Sequence, residues 1–208
     1  MYLQEQEAAP LVLKSGACLP PPGTGRVWRL ESGALRINNP QALGQTGLLS
    51  LALPGDRIGL ECLAGLAQTP LAYAITPAVL IAVEVADSEI TDVMKQAYLS
   101  ARQRCADMVM LRTGSVPNRV RYLLLLLADS QQLDQRDNAL PSLRDMAQVV
   151  DASIETVSRV LGGLRQFDLL QGRRQQGGTV NATHLRQFTF LPGMTSSSAL
   201  GRSRCAQA

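Results

Sequence analysis

The sequence is poor in the groups that most often carry catalytic chemistry. Its 208 residues include one histidine, His184, and only 4% are aromatic. A Ser-His-Asp or Cys-His centre would have to be built on His184, and no motif sets an acid or a nucleophile beside it. The chain is therefore expected not to be an enzyme. The four cysteines, Cys18, Cys62, Cys105 and Cys205, are scattered without a C-x-x-C pair. That spacing suits neither a disulfide scaffold nor a zinc site, and no metal is expected. Long apolar runs are missing too. "YLLLLLA", residues 122–128, falls well short of the roughly 20 residues a membrane span requires. "MYLQEQEAAP" has neither the basic segment nor the apolar run of a signal peptide. A soluble, cytoplasmic protein without a membrane partner is expected.

Lysine is nearly absent as well. Only Lys14 and Lys95 stand among 20 basic residues, against 17 acidic ones and a net charge of +3. A sequence pI near 8.8 permits a polyanionic partner without demanding one. Arginine suits bidentate contacts to phosphates or bases, although a GC-rich genome produces the same bias.

With 46% hydrophobic residues, the chain can bury one medium core or two small ones. Residues 11–86 carry short apolar runs: "LVL", "RVWRL", "GALRI", "TGLLSLALPG", "LAYAIT" and "AVLIAVEV". Turn signals separate them at Gly23/Gly25, Ser32-Gly33, Asn38-Asn39-Pro40, Gly44, Pro54-Gly55-Asp56 and Thr76-Pro77. Short strands with regular punctuation predict an antiparallel barrel or sandwich over residues 1–87.

From Ser88 to about Arg112, Ile90, Met94, Ala97, Ala101, Cys105, Met108 and Leu111 recur at spacings of three and four. That periodicity predicts a helix over 88–113, long enough for a dimer seam; the plainer alternative is a helix lying on its own domain. Asp92, Lys95, Gln96, Arg102, Gln103 and Asp107 supply its polar face. A further helix is expected over Val116–Ala128, with Pro117 in its first turn. "DSQQLDQRDNALP" then reads as a loop and residues 193–208 as a disordered tail.

Residues 142–170 hold the most specific signal. Ser142 can cap a helix with Asp145 three residues on, and Leu143, Met146, Val149 and Val150 form its apolar face. Ser153 can cap a second helix running to about Phe167. Only Val150, Asp151 and Ala152 lie between. Ala147 is small enough for close approach, Asp151 can take the left-handed backbone a tight turn needs, and Val157 and Val160 return to the core. These offsets predict a helix-turn-helix, against which an ordinary helical hairpin is the alternative. In "DLLQGRRQQGGTV", Leu169-Leu170 and Thr179-Val180 can pair around a basic tip, making a wing. Arg173 and Arg174 would face a phosphate backbone there or simply stand in solvent.

These features together resemble the CRP/FNR family of bacterial transcription regulators. "LESGALRI" is similar to the family's barrel turn, "LALPGDRIGLECLAG" to its PGD stretch, and "LRDMAQVVDASIETVSRVLGGLRQFDLL" to its helix-turn-helix. The likeness covers about residues 11–190. It implies an α+β fold: a shortened antiparallel β-barrel of the cyclic-nucleotide-binding kind, a long dimerisation helix and a winged helix-turn-helix over 114–192. It also implies a homodimer that binds double-stranded DNA and meets RNA polymerase.

Within that likeness, Glu155 and Arg159 reach into the major groove, where arginine can donate twice to guanine and glutamate can accept from cytosine. A surface ion pair at i,i+4 is the plain alternative. Ser142, Ser153, Ile154, Thr156 and Ser158 complete the expected DNA-contacting set, with Arg173 and Arg174 on the wing. Ile154-Glu155-Thr156-Val157-Ser158-Arg159 matches the pattern of the oxygen-responsive branch, which implies a TTGAT-N4-ATCAA site.

The family's usual effectors fit poorly. The cyclic-nucleotide stretch has Gly59 and Glu61 split by Leu60, and Gln68, Thr69, Pro70 and Leu71 where an arginine is needed. Cys18 stands alone where the iron–sulfur members carry a cysteine cluster, and the barrel has no histidine for haem. No cofactor is expected and the effector is open. The competing functional reading is a small-molecule-binding module whose winged helix mediates protein contacts.

Overall fold

The computed structural model describes residues 9–23, 25–39, 47–66, 71–130, 140–171 and 179–188. Seven strands come first: β1 (Leu11–Leu13), β2 (Arg26–Ser32), β3 (Leu35–Asn38), β4 (Leu48–Ala52), β5 (Arg57–Ile58), β6 (Leu71–Ala74) and β7 (Ala78–Glu84), with a short helix, α1 (Leu60–Leu63), after β5. They form two antiparallel sheets, β1-β7-β2-β5 and β4-β3-β6. A bridge from Cys18 to Tyr73 links the segment after β1 to the second sheet. Among the described residues the ring is not closed. β4 ends at the Leu53–Asp56 turn, and β5, which continues into the other sheet, has only two paired residues.

Alternation along the strands fills the interior, as a half-buried sheet requires. Leu13, Leu30, Leu35, Ala52, Ala72, Ala74, Ala78 and Leu80 point inward and form one apolar cluster. Gly33 makes the β2–β3 turn at φ +85°, a left-handed value that favours glycine.

A helix of 23 residues, α2 (Ile90–Arg112), then runs along the barrel to α3 (Val116–Ser130). Next come α4 (Leu143–Val150), α5 (Ile154–Gln166), the strand pair β8 (Leu170–Gln171) and β9 (Thr179–Val180), and α6 (Ala182–Gln187). β8 and β9 pair antiparallel, Leu170 opposite Val180, as the wing reading expects. The core of this half gathers Leu111, Val120, Leu123, Leu124, Leu127, Met146, Val149, Val157, Leu161, Leu164 and Leu185. Burying each such side chain contributes about 1.5–3 kcal/mol. Ala34, Leu51, Leu53 and Ile75 of the barrel join the same cluster, so the two halves share apolar packing.

Two expectations change here. Leu143, read as part of the apolar face of α4, lies on the surface in its first turn at 36% exposure, while Met146, Ala147, Val149 and Val150 are buried. The expected seam of α2 divides as well. Leu111 is fully buried in the chain's own core and Met108 packs against it, so Leu111 is not free to meet a second copy. Ala97, Ala101, Cys105 and Met108 face the barrel across a cavity. The large apolar side chains left exposed on α2 are Tyr98, Leu99, Val109 and Met110. Tail residues 193–208 and Cys205 lie outside the described residues.

Candidate nucleic-acid interface

Caps fix the two short helices in place. Ser142 Oγ accepts the N–H of Asp145 at 3.0 Å and donates to Asp145 Oδ2 at 2.7 Å. Ser153 Oγ accepts the N–H of Thr156 at 3.2 Å and lies 3.0 Å from the Thr156 hydroxyl. Each cap satisfies an N–H that the first helical turn leaves without a partner. Between them Asp151 adopts φ +50° and ψ +64°, the left-handed residue the tight turn needs. The turn ends α4 and starts α5 within three residues.

The faces of α5 then separate cleanly. Val157, Val160, Leu161 and Leu164 are buried. Ser153, Ile154, Glu155 and Arg159 are exposed, and Thr156 and Ser158 are half-buried. Ile154, an apolar side chain, stands 44% exposed beside the charged pair. The Glu155 carboxyl is held below the usual carboxylate range, first by the hydrogen bond from its own backbone N–H, then by the Ser153 hydroxyl, with the Arg159 charge contributing less. At the N-terminus of α5 it completes the cap. The structure thus brings Ser153, Ile154, Glu155, Ser158 and Arg159 together on one open face, with Thr156 at its margin. Ser142 sits at the start of the preceding helix. Arg173 and Arg174 lie outside the described residues.

Sequence reasoning passed over the residues that brace this unit. Arg119 of α3 donates from Nη1 to the carbonyl oxygens of Val150 at 2.7 Å and Asp151 at 3.1 Å. Arg112, the last residue of α2, donates to the Gln148 carbonyl at 3.1 Å and pairs with Asp151 Oδ1 at 3.5 Å. From the barrel, Arg36 rests over the Tyr73 ring, donates to Gln148 Oε1 and pairs with Asp145 at 3.7 Å. Three arginines from three elements therefore hold α4 and the turn. A lone arginine leaves no periodic mark in a sequence, so only the fold reveals the set. Arg112 and the exposed Arg144 also line a cleft of about 440 Å³ that opens beside Ser153 and Ile154.

The barrel holds a second concavity, about 530 Å³, between the strands and α2. Leu19, Trp28, Ile58, Leu60, Ala97 and Met108 supply much of its wall, with Asp56, Arg57, Glu61, Ser100 and Arg104 as polar groups. Arg57 donates to Gln96 at 2.6 Å, and Arg104 lies between Asp56 and Asp107. The barrel's other arginines are engaged as well: Arg26 with Glu84, Arg29 with Glu31, and Arg36 as above. Among the described residues no group of three His, Cys, Asp or Glu side chains could hold a metal, and no helix is long and apolar enough to cross a membrane.

Comparison with known proteins gives this architecture relatives. No protein-family model matches the chain. The transcriptional regulator LdrP of Thermus thermophilus is 32% identical over 151 residues, which cover 69% of this chain and 77% of the relative. Among solved structures, a CRP-family transcriptional regulator from the same organism is 25% identical with a TM-score of 0.64, over 85% of this chain and 95% of that one. FixK2 of Bradyrhizobium japonicum shares the fold at 19% identity and a TM-score of 0.66, over 88% of this chain and 98% of that one.

Proposed function

The chain belongs to the CRP/FNR family of transcriptional regulators, whose members named above are regulators rather than enzymes, and we propose that it acts as a homodimer that reads a palindromic DNA site with α5. The observation that carries this reading is the open Ile154–Glu155–Ser158–Arg159 face on a helix fixed by its Ser153 cap and braced from behind. Arginine donates two hydrogen bonds to guanine O6 and N7, and glutamate accepts from cytosine N4. Ser158 approaches a thymine. Ile154 has no donor for a second guanine, which favours TTGAT with its inverted repeat ATCAA over a TGTGA-like half-site. Arg173 and Arg174 grip phosphates, which position the protein without reading sequence.

Two copies pair along α2. The exposed apolar side chains Tyr98 and Val109, and beside them Leu99 and Met110, recur after three helical turns of α2 and support a seam shifted from the one periodicity suggests. A two-fold then sets the recognition helices roughly 34 Å apart, one helical turn of DNA. The protein works in the cytoplasm, with RNA polymerase as its further partner. Cyclic AMP is not its effector on this reading, because Gln68, Thr69, Pro70 and Leu71 stand where the family's phosphate-binding arginine is expected. Calorimetric titration with cyclic AMP should show no micromolar heat.

A mobility shift on genomic fragments tests the reading. Saturable shifts that resist competitor DNA support it. Binding to any duplex alike, vanishing as salt rises, would leave only the phosphate attraction and turn attention to a winged helix that docks on protein.

A further inference from the structure

The cleft of about 440 Å³ beside Ser153 and Ile154 opens where the end of α2, the helix α4, the turn and the first residues of α5 meet. Arg112, Arg144, Gln148, Asp151 and Ser153 supply its polar wall. Hydrogen bonds and ion pairs within the chain engage the acceptors of that wall. Gln148 Oε1 takes a hydrogen bond from Arg36, which leaves the amide NH2 as the open end of the side chain. The Gln148 carbonyl accepts from Arg112 Nη2 at 3.1 Å, and Asp151 Oδ1 lies 3.5 Å from Arg112 Nη1. Ser153 Oγ accepts the Thr156 N–H at 3.2 Å.

The donors are left over. Arg112 Nε is buried without completing a hydrogen bond. Arg144 is exposed and has neither a hydrogen bond nor an ion pair among the described residues. Two guanidinium groups against one carboxylate, itself paired, give the cleft a net positive charge. Such a wall suits a ligand with negative charge and several acceptor oxygens. A phosphoryl group has both, and a guanidinium fork can meet two of its oxygens at once. The fold does not account for Arg144, since removing it breaks no contact of the described chain. Base reading does not account for it either, because Arg144 belongs to α4 and stands outside the open face of α5.

We propose that this cleft binds a phosphoryl group, with Arg144 as its main contact and with Arg112 Nε and the Gln148 NH2 as further donors. None of these three is among the expected DNA contacts. The group has two sources: a backbone phosphate of the duplex that α5 reads, or the phosphate of a free small molecule. The first rests on the DNA-reading assignment above, and the second does not.

The test uses the full-length protein, a duplex carrying its selected site and a scrambled duplex of equal length. Arg144→Ala should leave the thermal midpoint without ligand unchanged. Its affinity for both duplexes should fall by one common factor, on the order of fivefold or more. A plot of log affinity against log salt should become shallower by about 0.9 for each cleft, so by about 1.8 for a homodimer. Arg144→Lys keeps the charge and should restore that slope, while part of the affinity stays lost with the fork. A second arm omits DNA. Inorganic phosphate, exchanged for chloride at constant ionic strength, should raise the wild-type midpoint if the site serves free phosphates, and Arg144→Ala should abolish the rise.

A shallower slope without any effect of free phosphate assigns the cleft to the duplex backbone. A phosphate-dependent midpoint with an unchanged slope assigns it to a small phosphorylated compound. If Arg144→Ala changes neither, the cleft is no phosphate site; a loss confined to the selected duplex also overturns the proposal, because Arg144 would then be reading bases. If the wild-type protein prefers no duplex, the DNA-reading assignment fails by itself, and the salt slope on any duplex together with the phosphate arm still decides the cleft.

Discussion

Arg119 and Val150, on different helices, are joined by a hydrogen bond of 2.7 Å from the guanidinium to the carbonyl at the end of α4. The last carbonyls of any helix lack partners within it, and here the left-handed Asp151 turns the chain away before they can find one. Arg119 supplies the partner for both Val150 and Asp151. Arg119→Met keeps an aliphatic stem but removes the donors. The loss should be about 1–3 kcal/mol, read as a lower midpoint in thermal denaturation. An unchanged midpoint would mean that water replaces the guanidinium without penalty.

Gly33 predicts a sharper loss. A Cβ built there would lie 2.2 Å from the Pro77 carbonyl oxygen and 2.7 Å from the Ala78 Cα, both backbone atoms that cannot turn aside. The positive φ adds strain of its own. Gly33→Ala should therefore cost roughly 2–4 kcal/mol. Gly163→Ala on α5, where nothing lies within 4 Å of the added carbon, should be neutral or stabilising by up to about 1 kcal/mol. Denaturant titration of the two variants measures the contrast, and equal midpoints would contradict it.

Tyr122 should titrate late. Burial, then the hydrogen bond to Asp107 and that carboxylate's charge, push its hydroxyl up to about 12. The unfolded chain releases this proton first, so the contribution to stability is complete below pH 10 and declines as pH rises through the folded value. Absorbance at alkaline pH should show a late phenol ionisation near pH 12. Tyr122→Phe should delete that late step; if it deletes an early one, the hydroxyl is not held by Asp107.

The helix-turn-helix was legible because its demands are local. Two serine caps, one left-handed aspartate and a small residue at the crossing fix it within about a dozen residues, and all appear as expected. Short elements were not. α6 was missed, although Asn181 followed three residues later by His184 carries the cap signal that the structure realises. On α2 the difficulty was different. Apolar residues occupy more than one side of that helix, so spacing alone could not say which side meets the barrel. Leu111 went inward, while Tyr98 and Val109 stayed outside. Asp107 looked like a solvent-facing acid because its partners Tyr122 and Arg104 only assemble around it in the fold.

The shifted seam makes a prediction that the original spacing does not. Tyr98→Glu with Val109→Glu places like charges against their two-fold mates, where each lacks a partner. Both sites are more than half exposed in the single chain, at 64% and 58%, so the fold itself should survive. Light scattering should show a monomer and circular dichroism an intact helix content. A dimer that persists would place the interface elsewhere.

The last prediction separates reading from gripping. Arg159 stands on the open face of α5, one helical turn after Glu155, so its guanidinium is free to meet a guanine edge. Arg159→Ala should cost about 1–3 kcal/mol on the preferred duplex and relax the preference at that guanine alone. Ile154→Arg adds the donors that the native residue lacks, and should move selection from TTGAT-like towards TGTGA-like half-sites. Arg173→Ala is the contrast: if this wing residue meets phosphate, binding to all sequences weakens alike and the salt dependence becomes shallower. Binding-site selection with each variant distinguishes these outcomes. If Arg159→Ala leaves the guanine preference intact, or if Ile154→Arg selects the same site as the wild type, then the reading face of α5 is not the one assigned to it.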